Sequence, residues 1–156
     1  MNNKRISFME KSATKEYIYS HLYACNNDYC QKLSNEVDLR DYANKIFQRS
    51  ITFEAWSMGE LVGLVATYLN DLDSRSGFIT NVSVTRKYKD QGIASKLIEM
   101  CIKKAIFLNF HFLHLEVSTA NYRAISLYKQ YGFTQFQTND KTIFMRHVLG
   151  VDGRHE

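Results

Sequence analysis

Apolar positions change period several times along the chain, and each change predicts an element. Residues 14–33 carry Tyr17, Ile18, Leu22, Tyr23 and Tyr29 at helical spacing and predict a first helix with these side chains turned inward. Asp38 then precedes Leu39, Tyr42, Ala43, Ile46 and Phe47, an N-cap followed by an apolar stripe. Residues 51–56 alternate as a strand does. Met58, Gly59 and Glu60 make a turn, and residues 61–69 return as the second strand of a hairpin. Residues 70–77 are polar and loop-like, and residues 78–84 are a further strand.

The next helix is the most strongly patterned. Ala94, Leu97, Ile98, Cys101 and Ala105 share one face, and Ser95, Lys96, Glu99, Lys103 and Lys104 the other. A strand follows at residues 113–117, then a helix containing Tyr128. A last hairpin, residues 133–137 and 142–148, turns at Asn139 and Asp140. The order is α-α-β-β-β-α-β-α-β-β, an α+β chain. Residues 1–149 read as one domain and 150–156 as a loose tail.

Between the strand at 78–84 and the long helix lies Thr85-Arg86-Lys87-Tyr88-Lys89-Asp90-Gln91-Gly92. A helix that starts straight after such a loop aims unpaired N–H groups and its positive dipole end into the turn, which suits phosphate. Gly92 lets a ligand approach the backbone, Ala94 is small, and Arg86, Lys87 and Lys89 add positive charge. The loop lacks the Gly-Lys-Ser/Thr ending of a nucleotide-binding P-loop and the three glycines of a dinucleotide fingerprint.

Lys89-Asp90-Gln91-Gly92-Ile93-Ala94 instead resembles the pyrophosphate loop of the GNAT superfamily of acyl-CoA-dependent acyltransferases. A second block supports the likeness. The strand Leu113-His114-Leu115-Glu116-Val117 is followed by Asn121, Ala124, the pair Leu127-Tyr128 and the closing Gly132-Phe133, in the family's order and spacing. Lys89 stands where Arg or Gln is common, Ala94 replaces a second glycine, and Thr85 and Arg86 fill positions where proline is frequent. The loop's backbone N–H groups survive all three changes.

The resemblance implies a mixed, mostly antiparallel central sheet flanked by helices, with two neighbouring strands splayed apart. It implies acetyl-CoA as co-substrate, held by Val82, Val84, Lys89, Asp90, Gln91, Gly92, Ile93, Ala94, Ser95, Asn121 and Tyr128, and no metal. The expected reaction is direct attack of a primary amine on the thioester. A lysine-like amine with pKa near 10.4 is neutral only about once in 2,500 molecules at pH 7, so a base or water chain is needed. Glu116, a carboxylate in an otherwise apolar strand, is the candidate base. Its surroundings look like the branch of the family that acetylates protein N-termini. Tyr128, two helical turns after Asn121, is the candidate acid for the leaving thiolate. Tyr131 reads as structural, and His114 as a filler beside Glu116. Glu54 and Asp71 are alternative bases, Asn81 a candidate contact to acceptor or thioester, and Tyr68, Asn70 and Asp71 candidates for acceptor recognition.

The acceptor class stays open between small-molecule and peptide amines, and the resemblance also allows a homodimer. The alternative function is a non-catalytic acyl-CoA-binding or sensor module of the same fold. The formal charge of +4 and the lack of a Lys/Arg block argue against a nucleic-acid partner. No segment is apolar and long enough for a membrane partner, and the first residues lack the apolar core of a secretion signal. Cys25, Cys30 and Cys101 form no CxxC pair. A cytoplasmic setting with reduced thiols is the expectation.

Overall fold

The structure, a computed structural model, describes residues 5–28 and 32–150. Seven strands form one sheet in the order β1-β2-β3-β4-β5-β7-β6. In chain order they are β1 (Ser7–Glu10), β2 (Ile51–Ser57), β3 (Glu60–Tyr68), β4 (Ser76–Val84), β5 (Phe112–Ser118), β6 (Thr134–Thr138) and β7 (Thr142–Val148). The helices are α1 (Lys15–Cys25), α2 (Leu39–Arg49), α3 (Ile93–Phe107) and α4 (Tyr122–Gln130). Every pairing is antiparallel except β4 with β5. This is the mixed, mostly antiparallel α+β arrangement expected, with one strand added at its start.

That added strand, β1, is four residues long and pairs with β2 at the sheet edge. Four mostly exposed residues carry too little alternation to be read. The first helix is also shorter than its apolar pattern suggests. It runs from its Thr14 N-cap to Cys25, and Asn26–Asp28 tighten into a 3-10 turn. Its buried face is Ile18, His21, Leu22 and Cys25, whereas Tyr17 and Tyr23, expected inside, are exposed. The expectations for Tyr29, Cys30 and residues 151–156 lie outside the described residues. Asp38 caps α2 as its position predicts, accepting from the Arg40 and Asp41 N–H groups at 3.0 Å each. Phe47, expected inside on that helix, is exposed.

Helices α1 and α2 cover one face of the β2–β4 half, over Ile18, Leu22, Ala43, Ile46, Leu61 and Leu64. On the opposite face α3 and α4 enclose the larger core. Ile93, Leu97, Ile98, Cys101 and Ala105 of α3 are all buried. Each large aliphatic among them contributes roughly 1.5–3 kcal/mol by leaving water. β3, buried on both faces, reads as a nearly continuous apolar run.

Two features shape the middle of the sheet. β4 and β5 are in register only through Ser76–Phe112, Gly77–Leu113 and Phe78–His114, and beyond Phe78 the strands part. At that joint a Cβ on Gly77 would lie 2.5 Å from Leu69 Cδ2 and 2.9 Å from Leu113 Cδ2, so a larger residue would push these side-chain ends aside. A β-bulge then falls at Thr80, because Ala66 pairs with Asn81 and Thr67 with Ile79. The extra residue turns Thr80 toward α2, where the Tyr42 hydroxyl donates to the Thr80 carbonyl at 2.7 Å.

Candidate functional site

The free part of β4 separates two clefts that open where the strands part. One, of about 370 Å³, is lined by Val82, Ser83, Val84, Lys89, Asp90, Gly92, Ile93, Ala94 and Ser95, and by Asn121, Ala124 and Leu127 across from them. Its floor begins with the loop after β4. Arg86–Tyr88 form a 3-10 turn, and the buried Tyr88 hydroxyl donates to Ser57 Oγ at 3.0 Å, tying the turn to β2. Asp90 and Gly92 both have positive φ, 64° and 79°, which turns the chain sharply into α3. The first bond of the α3 ladder runs from the Lys96 N–H to the Gly92 carbonyl. The N–H groups of Ile93, Ala94 and Ser95 therefore precede the ladder. A Cβ on Gly92 would meet nothing within 4 Å, so the space above the helix start is open. An anionic pyrophosphate fits this cradle of backbone donors at a positive dipole end.

The loop's charges are less available than the sequence suggests. Arg86 is paired with Asp28, and Lys89 stands 4.0 Å from the same carboxylate. Asp90 is paired with Arg123 on α4, which links the two walls of the cleft. The backbone, rather than these side chains, is the main resource for holding an anion. Gln91 belongs to the loop but does not line the cleft; its side-chain amide donates to the Lys87 carbonyl at 3.4 Å.

The second cleft is lined by Thr80, Asn81 and Val82 of β4, Glu116, Val117 and Ser118 of β5, and Asn121 and Tyr128 of α4. Leu33, Glu36, Lys141 and Thr142 complete its rim. Val82 and Asn121 line both clefts. Tyr128 is buried and packs edge-on to Phe133, with ring centroids 6.0 Å apart. Glu116 is exposed on the opposite face of β5 from Leu115 and Val117. Asn121 caps α4, its side-chain oxygen accepting from the Ala124 N–H at 3.2 Å, so it positions the helix as well as facing the ligand space.

Several sequence candidates are elsewhere. Glu54 is fully buried in a structural clamp. It accepts from the Ser12 and Ala13 N–H groups at 3.0 and 3.1 Å, from the Ser12 and Thr52 hydroxyls at 2.5 Å each, and from the Trp56 indole at 3.0 Å. Five donors satisfy the buried carboxylate and leave it no part in proton removal. Tyr68, Asn70 and Asp71 line neither cleft. Tyr68 pairs with Phe78 at the closed joint, Asn70 donates to the Arg49 carbonyl, and Asp71 holds Ser74.

One polar network was not foreseen. His21, 2% exposed, contacts the Leu61 carbonyl through Nδ1 at 3.1 Å and Ser83 Oγ through Nε2 at 2.8 Å. The Ser83 hydroxyl also reaches Asn81 Oδ1 at 2.7 Å, and the Cys25 thiol lies 3.7 Å from Nε2. Burial pushes the His21 pKa down to about 4, against two hydrogen bonds that raise it, and pushes the Cys25 thiol up to about 12. With its proton on Nδ1 for the Leu61 carbonyl, the neutral ring accepts at Nε2 and competes with Asn81 Oδ1 for the single Ser83 hydroxyl proton. Three members of the network line the clefts themselves, Cys25 and Ser83 the first and Asn81 the second. The network's only sequence signal is a histidine at the inward spacing of α1.

Comparison with known proteins agrees with this geometry. The sequence model of the acetyltransferase (GNAT) family matches residues 15–133. The chain belongs to the GNAT family. N-alpha-acetyltransferase 30 of Dictyostelium discoideum is 32% identical over 104 residues, covering 65% of this chain and 54% of that protein. The ribosomal protein bS18-alanine N-acetyltransferase of Escherichia coli is 28% identical over 117 residues, covering 75% of this chain and 74% of that protein. The solved structure of the ribosomal-protein-S18-alanine N-acetyltransferase from Escherichia coli shares the fold. Its TM-score is 0.74 at 20% identity, over 97% of this chain and 99% of that one. The chain spans about half the length of the Dictyostelium relative.

Proposed function

We propose that this chain transfers an acetyl group from acetyl-CoA to a primary amine, with the α-amine of a polypeptide as acceptor. The observation that carries the proposal is the meeting of the two clefts at Val82 and Asn121. One cleft offers a helix N-terminus suited to pyrophosphate, and the other holds a carboxylate and a phenol. The relatives named for acetylation of protein N-termini support the acceptor class.

In this proposal Ile93, Ala94 and Ser95 hold the pyrophosphate through backbone N–H groups, with Lys89, Asp90, Gln91 and Gly92 shaping the loop. Val82 and Val84 offer the strand edge that β5 leaves unpaired, and Asn121 closes the other side. Bound acetyl-CoA supplies an acetyl group activated as a thioester. Glu116 accepts the proton of the incoming ammonium, directly or through water. A β4 backbone N–H near Val82 stabilises negative charge on the carbonyl oxygen. Tyr128 donates a proton to the departing sulfur and recovers it from solvent.

The test is a screen of free-thiol release from acetyl-CoA across peptides, polyamines, amino sugars and amino acids, with acetyl-CoA binding measured separately. Turnover of peptide α-amines is the expected result. Tight acetyl-CoA binding with no turnover on any amine would replace the proposal with a sensor module.

A further inference from the structure

Among the described residues, helices α1 and α2 pack on β2, β3 and β4 and leave the same face of β5, β7 and β6 without a packed helix. By register, Phe112, His114, Glu116 and Ser118 of β5 share this face with Val148, Arg146, Phe144 and Thr142 of β7. Phe136, 47% exposed, joins them from β6. The Arg146 guanidinium lies 5.2 Å from the ring centroids of both Phe112 and Phe136, and the His114 ring packs edge-on to Phe136 at 5.7 Å. Burial and the nearby Arg146 charge both lower the His114 pKa, so the histidine adds no charge of its own at neutral pH. Among the described residues, no carboxylate lies within ion-pair distance of Arg146 or of Lys141 at the cleft rim.

The face runs continuously into the second cleft, because Glu116 is one two-residue step along β5 from His114, which is opposite Arg146. That step is about 7 Å. The charges are ordered along it. Glu36 and Glu116 are at the cleft, where an ammonium would enter, Lys141 is on its rim, and Arg146 is beyond them. Both aromatic rings lie within cation–π range of the guanidinium, and among the described residues it has no carboxylate partner.

We infer that this face is the docking surface for the acceptor polypeptide downstream of its amine, and that Arg146 selects an acidic side chain there. The inference rests on the proposed acetylation of polypeptide α-amines. An extended chain advances about 3.3–3.6 Å per residue, so the third residue of an acceptor whose amine is at Glu116 reaches Arg146.

The test uses the full chain and peptides identical except for Asp, Ser or Lys at position three. kcat/KM is expected to fall in that order, with the Asp-to-Ser ratio about fivefold, the upper range for an exposed ion pair, and shrinking as salt is raised. Arg146→Glu should invert the order, carried by KM, an outcome that poor folding cannot produce. Arg146→Lys should retain the order with a smaller ratio. Equal kcat/KM for all three peptides, or an equal loss for all three in Arg146→Glu, would overturn the inference while leaving acetyl transfer intact. A concentration-dependent dimer abolished by Arg146→Glu would also overturn it, by giving the face to a second copy. Absence of turnover on every peptide would instead defeat the proposed function itself.

Discussion

The two clefts beside the free end of β4 are made of different material. The cleft proposed for the donor relies on backbone: a left-handed glycine, the opening turn of α3 and a strand edge that β5 leaves unpaired. The cleft proposed for the acceptor relies on side chains gathered from the segment before α2, the β4 bulge, β5, α4 and the β6–β7 turn. A backbone cradle needs only a short contiguous stretch, and its N–H groups do not depend on the side chains of Lys89 and Ala94. A side-chain cleft needs long-range packing to place each group, and single substitutions there can alter specificity.

Substitutions can separate the two. The largest effect is expected for Gly92→Glu, which places bulk and negative charge over the helix start. Acetyl-CoA binding by calorimetry should vanish, while the left-handed backbone costs only about 1–2 kcal/mol in stability. Gly92→Ala carries the same backbone strain without the charge and should retain measurable binding. Next is Tyr128→Phe, in the cleft proposed for the acceptor, which should lower kcat by about 10²-fold or more with the acetyl-CoA Kd nearly unchanged. Loss of binding in that variant would erase the division between the clefts.

The third expectation concerns the His21 network. In the unfolded chain the imidazole takes up a proton near its ordinary pKa of 6.5, and in the fold it resists protonation until about pH 4. Stability from this group is therefore fully present above pH 6.5 and is lost as pH falls from 6.5 to 4, by about 3 kcal/mol in total. Denaturant titrations of the wild type and His21→Gln across that window should converge at low pH. A constant difference would remove His21 as the cause. The smallest effect is a change of shape: Glu116→Gln should flatten the alkaline rise of kcat/KM. An unaltered pH profile would assign the proton to water or another group.

The strands, helices and capping residues that obey short-range rules were legible in the sequence. Asp38, the α3 stripe and the Asn121-to-Tyr128 spacing all lie within one element and its flank. What stayed hidden depends on distant chain. Glu54 could be taken for a base only because Ser12 and Ala13, 42 and 41 residues earlier, cannot be seen donating to it. Tyr17 and Tyr23 share the apolar character of Ile18 and Leu22, and nothing local says which side of α1 the sheet will cover. The Thr80 bulge leaves no mark, since its pairing shift appears only against β3.

The glycine at the β4–β5 joint has a mechanical consequence. Three registered pairs hold the strands together at Gly77, and Val84 is seven residues away, a lever arm of about 23 Å. Because β3 pairs with β4 through to Val84, a change of angle at the joint would be carried by both strands together. A methyl group at position 77 would press on the side-chain ends of Leu69 and Leu113, and any part of that strain not relieved by their rotation would open the angle between β4 and β5. The space lined by Val82 and Asn121 would then be tuned from a residue that lines neither cleft.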